Sequence, residues 1–140
     1  MEKKILSDNE LNQVAGGLGG GVLASGSFLS NTGTQLNLLV NWSVQADAYG
    51  TKTLYVDVCA SSYSLYTVGG GVELTVNGMI YGASANPISY GGLTPVTNCL
   101  ATFAIPVTSG AVSMSAVWHY NGTYSGVPIG DIRASGVANV

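Results

Sequence analysis

Charge is what this sequence has least of. Asp, Glu, Lys and Arg together supply 11 of 140 residues, or 8%, against about a quarter in an ordinary soluble domain. Five of them, Glu2, Lys3, Lys4, Asp8 and Glu10, stand in the first 17 residues, so the rest of the chain has only Asp47, Lys52, Asp57, Glu73, Asp131 and Arg133. Nucleic acid is excluded as a partner, because backbone binding needs several cations to displace counterions and only Lys52 and Arg133 remain. A basic membrane-seeking helix is missing for the same reason. Weak colloidal repulsion makes self-association or a surface-bound life the expectation. Long apolar runs are also lacking: none approaches the roughly 18 residues of a transmembrane helix.

Catalytic and metal-binding groups are equally scarce. His119 is the only histidine, and strand phase puts it opposite Trp118, facing solvent. Asp47, Asp57, Glu73 and Asp131 lie on separate segments, with no local calcium loop. Ser113 or Ser115 could be matched with His119 and Asp131, but no nucleophile-elbow motif supports a hydrolase. Gly69-Gly70-Gly71 has no following Lys-Ser/Thr and reads as a loop rather than a phosphate cradle. The expectation is a protein that is not an enzyme and has no catalytic residue, metal or cofactor.

Two cysteines are present, Cys59 and Cys99. Either they form a disulfide or they are two separate thiols; metal binding would need further ligands that the sequence does not offer. Cys59 is out of phase with Leu54, Val56 and Val58, whereas Cys99 is in phase with Ala101, Phe103 and Ile105. A bridge therefore needs a bulge near Val58 or strands that face differently.

Period-two alternation is abundant. Leu36, Leu38, Val40, Trp42, Val44 and Ala46 alternate with mostly polar residues, and the pattern recurs through Leu54–Val58, Val72–Val76 and Val112–Tyr120. Val22–Leu29, Cys99–Val107 and Ile129–Val137 read as further strands. Asn77-Gly78 and Asn121-Gly122 sit between such runs, as type I′ hairpin turns do. They predict two hairpins, Val72–Val76 with Met79–Ala83 and Val112–Tyr120 with Thr123–Val127. Pro106 and Pro128 place their strands at an edge or a bulge. The whole predicts an all-β fold, an immunoglobulin-like or jelly-roll antiparallel β-sandwich of about eight strands with Trp42 and Trp118 as its largest core residues. Of the eight tyrosines, Tyr120 and Tyr124 flank the Asn121-Gly122 turn beside His119. These three form a candidate carbohydrate or protein contact patch, since tyrosine covers apolar surface while keeping a hydroxyl wet.

The start of the chain is different. Leu6, Leu11 and Val14 share one side of a short helix, Ser7 and Glu10 form a capping box, and Gly16-Gly17 ends it. No apolar run longer than two residues precedes Gly16, so this is no Sec-type signal, which needs an apolar core of about 7–15 residues. The string from Leu6 to Gly17 resembles the double-glycine leader of class II bacteriocins, matching Leu-Ser-x-x-Glu-Leu-x-x-Val/Ile-x-Gly-Gly at each defined position. The resemblance implies a leader over residues 1–17, recognised through Leu6, Glu10, Leu11 and Val14. A peptidase-containing ABC transporter would cut it after Gly17, leaving Gly16 and Gly17 as the cleavage pair. Residues 18–140 would then be one secreted β-sandwich domain, extracellular or at the cell surface, acting by surface binding or self-assembly. The alternative is a bacteriocin-like antibacterial protein, from which this body departs by being large, slightly acidic and all-β.

Overall fold

The computed structural model describes residues 22–29, 36–67, 70–124 and 126–140. The leader-like segment, with Leu6, Glu10, Leu11, Val14, Gly16 and Gly17, lies outside the described residues. Ten strands follow in order: β1 (Val22–Leu29), β2 (Asn37–Ala46), β3 (Lys52–Thr67), β4 (Gly71–Val76), β5 (Met79–Ser84), β6 (Ile88–Val107), β7 (Ala111–Trp118), β8 (Gly122–Tyr124), β9 (Val127–Ile129) and β10 (Ile132–Asn139). The fold is all-β. One four-stranded antiparallel sheet has the order β1-β2-β3-β6, a second has β10-β7-β4-β5, and β8-β9 forms a two-stranded ribbon.

Alternation in the sequence becomes sidedness in the sheets. Leu38, Val40 and Val44 of β2 and Leu54, Val56 and Val58 of β3 are fully buried, and they join one core cluster with Val72, Leu74, Met114, Ala116, Trp118, Ile132 and Ala138 from the other sheet. Each sheet thus removes one apolar face from water, the dominant favourable term in folding. Trp118 is fully buried, but Trp42 is only partly so and packs against the edge of the cluster, which corrects the expectation that both indoles are central.

Local chemistry fixes the turns. Asp47 Oδ1 accepts from the amides of Tyr49 and Thr51, both at 2.9 Å, and so closes the β2–β3 hairpin. Asn77 and Gly78, with φ of 48° and 86°, make the left-handed pair that the β4–β5 hairpin requires. The second expected hairpin does not form. β7 pairs with β10 along its whole length, from Ile132 opposite Trp118 to Asn139 opposite Ala111, and β8 and β9 fall in the insertion between them. Asn121 is left-handed (φ 49°) but Gly122 is not, so the dipeptide cannot be a type I′ turn. The Asn121 amide instead bonds the Gly130 carbonyl at 3.2 Å and closes the base of the insertion.

β6, which carries Pro106, lies at the edge of its sheet, and Pro128 falls in the two-stranded ribbon, positions that suit a residue without an N–H. β6 departs from regular pairing twice. Ser62 pairs with Val96 and Ser64 with Gly91, leaving residues 92–95 looped out with Leu93 at their exposed tip (96%). Val58 pairs with Ala101 and Cys59 with Cys99, leaving Leu100 as the extra residue of a bulge. Asn86 satisfies that bulge: its amide donates to Leu100 O (2.9 Å) and its side-chain Nδ2 to Cys99 O (3.1 Å).

Candidate functional site

The insertion over residues 119–131 meets the upper ends of β3, β4 and β6, and two features with different chemistry result. The first is a charge cluster around His119. Gly70 and Gly71 make room for it: a Cβ on Gly70 would lie 3.1 Å from His119 O, and Gly70 itself has φ of +113°. The His119 amide bonds Gly71 O at 2.9 Å, which turns the imidazole onto the outer face beside β4. Its Nε2 then lies 2.8 Å from Glu73 Oε1 and its Nδ1 2.9 Å from Asp131 Oδ1. Arg133 Nη2 stands 3.5 Å from Asp131 Oδ2. Three of the six charges outside the leader-like segment thus gather around the single histidine.

Two carboxylate acceptors on one ring require two N–H donors, a condition only the imidazolium meets. The bond to Glu73, then that to Asp131, raises the His119 pKa above its usual 6.5, against a smaller opposing effect of desolvation. Since the folded value exceeds the unfolded one, the stabilisation is complete below about pH 6.5 and is lost as pH rises through the raised value. Thermal melts across pH 5–9 should therefore show wild type losing stability in that window relative to H119Q. A constant difference between the two proteins would refute the assignment. Both ring nitrogens are occupied, so His119 in this arrangement has none free to take a proton from Ser113 or Ser115. The ring also holds the two carboxylates apart on opposite edges, and no metal-binding cluster of three or more His, Cys, Asp or Glu occurs among the described residues.

The second feature is a cleft of about 290 Å³ lined by Ser64, Ser89, Tyr90, Tyr120, Thr123 and Tyr124, with Leu65 beneath. Tyr120 is held by its ring, 5.0 Å from that of Trp118 at 58°, and by its hydroxyl, which donates to Thr123 O at 2.9 Å. Burial, then the neighbouring Tyr124, pushes its pKa above the usual 10.0, so the hydroxyl keeps its proton. The Tyr90 hydroxyl meets the Ser62 hydroxyl and lies within donating distance of the Ser62 and Val96 carbonyls, at 2.9 and 3.2 Å. Aromatic faces, hydroxyls and backbone groups line the cleft, with no ionised side chain among them.

The expected patch of His119, Tyr120 and Tyr124 is therefore divided. Tyr120 and Tyr124 share the cleft, though Tyr124 is 6% exposed and belongs to the core cluster; His119 belongs to the charge cluster instead. Ser64, Ser89 and Tyr90 join the cleft from the ends of β3 and β6; nothing in the sequence signals the two serines, and sequence reasoning matches His119 with Asp131 but not with Glu73. Cys59 and Cys99 are free thiols at opposed ladder positions. A second groove, about 530 Å³, lies at the other end of β3 and β6 between Lys52, Met79, Tyr81, Ile105 and Val112; Lys52 Nζ donates there to Ser109 Oγ at 2.7 Å. No family model matches the chain, and no curated protein or solved structure is significantly similar to it.

Proposed function

We propose that this chain is the precursor of an exported bacterial protein, freed after Gly17 by the peptidase of an ABC transporter, and that its body binds carbohydrate at the cell surface without catalysing a reaction. The delivery half of this reading rests on the Leu6–Gly17 motif. The observation that carries the binding half is the cleft where Tyr90, Tyr120 and Tyr124 meet Ser64, Ser89 and Thr123. Sugars present C–H faces that stack on aromatic rings and hydroxyls that both donate and accept, so a concave, uncharged site of rings and hydroxyls suits them.

For the body we propose a two-layer immunoglobulin-like sandwich. Its support is the strand order: β2-β3-β6 against β10-β7-β4-β5 follows the Greek-key arrangement A-B-E against G-F-C-C′, with β1 as an added edge strand. A jelly roll would pair its first and last strands, whereas β1 pairs with β2 and β10 with β7.

Co-sedimentation of the purified chain with bacterial cell-wall polysaccharide tests the binding site. Wild type should pellet with the polymer. S89W, a plug placed on an exposed wall residue, should cut the bound fraction roughly tenfold, about 1.4 kcal/mol, with its melting temperature unchanged. Undiminished pelleting of a folded S89W protein would remove the cleft from the account. The leader motif also favours a second reading, a bacteriocin-like antibacterial protein. Inhibition zones on related bacteria would select it.

A further inference from the structure

We infer that Cys59 and Cys99 form a paired oxidation site, closing a cross-strand disulfide between β3 and β6 when the folded chain meets a thiol-exchanging oxidant. Regular alternation would put the two thiols on opposite faces of the sheet, because Val58 faces the core on β3 and Ala101, Phe103 and Ile105 share the core phase on β6. The extra residue Leu100 reverses this: it is itself fully buried, so Cys99 turns outward to the side of Cys59, its ladder partner. The two residues face each other directly across the ladder, and the Cys99 thiol lies 3.7 Å from the Ala101 carbonyl. Asn86 pins the carbonyls of Cys99 and Leu100, so the bulge that creates the pairing is held in place from the β5–β6 connection. A bond here would enclose residues 60–98, which include the whole β4–β5 hairpin of the other sheet.

The two sulfurs are unequal, and this sets the order of events. Cys99 is exposed and Cys59 is 6% exposed. The Cys99 thiolate attacks a small disulfide such as oxidised glutathione, forming a mixed disulfide and releasing one glutathione thiolate. The Cys59 sulfur then attacks the Cys99 sulfur, giving its proton to solvent and displacing the second glutathione. Two electrons pass from the cysteine pair to the reagent, so one oxidised glutathione becomes two reduced ones. Burial, followed by the nearby Cys99 and Asp57, pushes the Cys59 pKa up to about 12. The second step therefore quickens as pH rises. The same property makes Cys59 a poor leaving group, so the closed bond reopens slowly when a reductant attacks Cys99.

The test uses the full chain, purified in reductant and exposed to oxidised glutathione under native conditions. Wild type should lose about 2 Da, leave no thiol open to alkylation, and melt on the order of 10 °C higher than the reduced protein. C59S should stop at a glutathione adduct on Cys99, and C59A repeats the test with a different packing. C99S should react at least about tenfold more slowly than C59S, because its remaining thiol is covered and protonated. Two alkylatable thiols in treated wild type would overturn the inference. So would dimers linked through Cys99, or equal reactivity of C99S and C59S.

Discussion

Truncating Trp118 to alanine is expected to cost the fold more than any other single substitution considered for this protein. The indole is fully buried and heads the largest core side chains. It sits where β4, β7 and β10 meet, since Trp118 is opposite Val72 on one side and Ile132 on the other. Replacing a buried Trp with Ala costs about 3–5 kcal/mol, because the cavity left behind does not collapse fully. For a domain of this size that lowers the melting temperature by on the order of 10–20 °C. The loss should also reach the tyrosine-lined cleft, because Tyr120 rests on the Trp118 ring. W118F separates the two contributions. Trp118 Nε1 is buried without a hydrogen-bond partner among the described residues, so Phe keeps an aromatic face beneath Tyr120 while discarding an unsatisfied donor. Calorimetry should place W118F well above W118A. Equal melting temperatures for W118A and wild type would mean that the indole is not the keystone of this sheet.

The second large effect is expected in processing. Under the export proposal, G17F should leave full-length protein inside cells and reduce mature protein in the culture medium to roughly a tenth or less, a loss of about 1.4 kcal/mol or more in transition-state binding. Glycine presents a flat backbone with no Cβ to a narrow peptidase channel; phenylalanine does not. Intact mass of the medium fraction is the measurement, and wild type should yield a product beginning at Leu18. Unimpaired cleavage of G17F would count against the double-glycine mechanism. A wild-type product retaining residues 1–17 would count against leader removal itself.

Sheet sidedness is legible in the sequence because burial follows period two: Leu38, Val40 and Val44 of β2, Leu54, Val56 and Val58 of β3, and the even residues of β4 and β7 face the core as their spacing demands. Asn77-Gly78 was legible because the flanking strands are adjacent in sequence and nothing competes for them. Asn121-Gly122 has the same composition, but β7 finds a better partner in β10, whose Ile132, Ala134 and Ala138 extend the core face. Tertiary burial outweighed turn propensity. That Glu73 joins Asp131 at His119 was not legible, because the three residues meet only after β4 and β10 flank β7. The Leu100 bulge left one trace in the sequence, the opposite phases of Cys59 and Cys99. A bridge between them called for a bulge near Val58 or strands that face differently, and the structure places a bulge opposite Val58, on the other strand.

The segment that carries β8 and β9 stands on two strands that are already paired along their whole length below it, and its base is closed by the bond from Asn121 to Gly130 and by the His119–Asp131 pair. It can therefore be treated as an exchangeable cassette. Its exposed residues, such as Thr123 and Pro128, can accept other side chains without reopening the sheet, as recognition loops on rigid scaffolds do. One condition travels with any graft: a large side chain must replace Tyr124, because that ring is the cassette's anchor in the core.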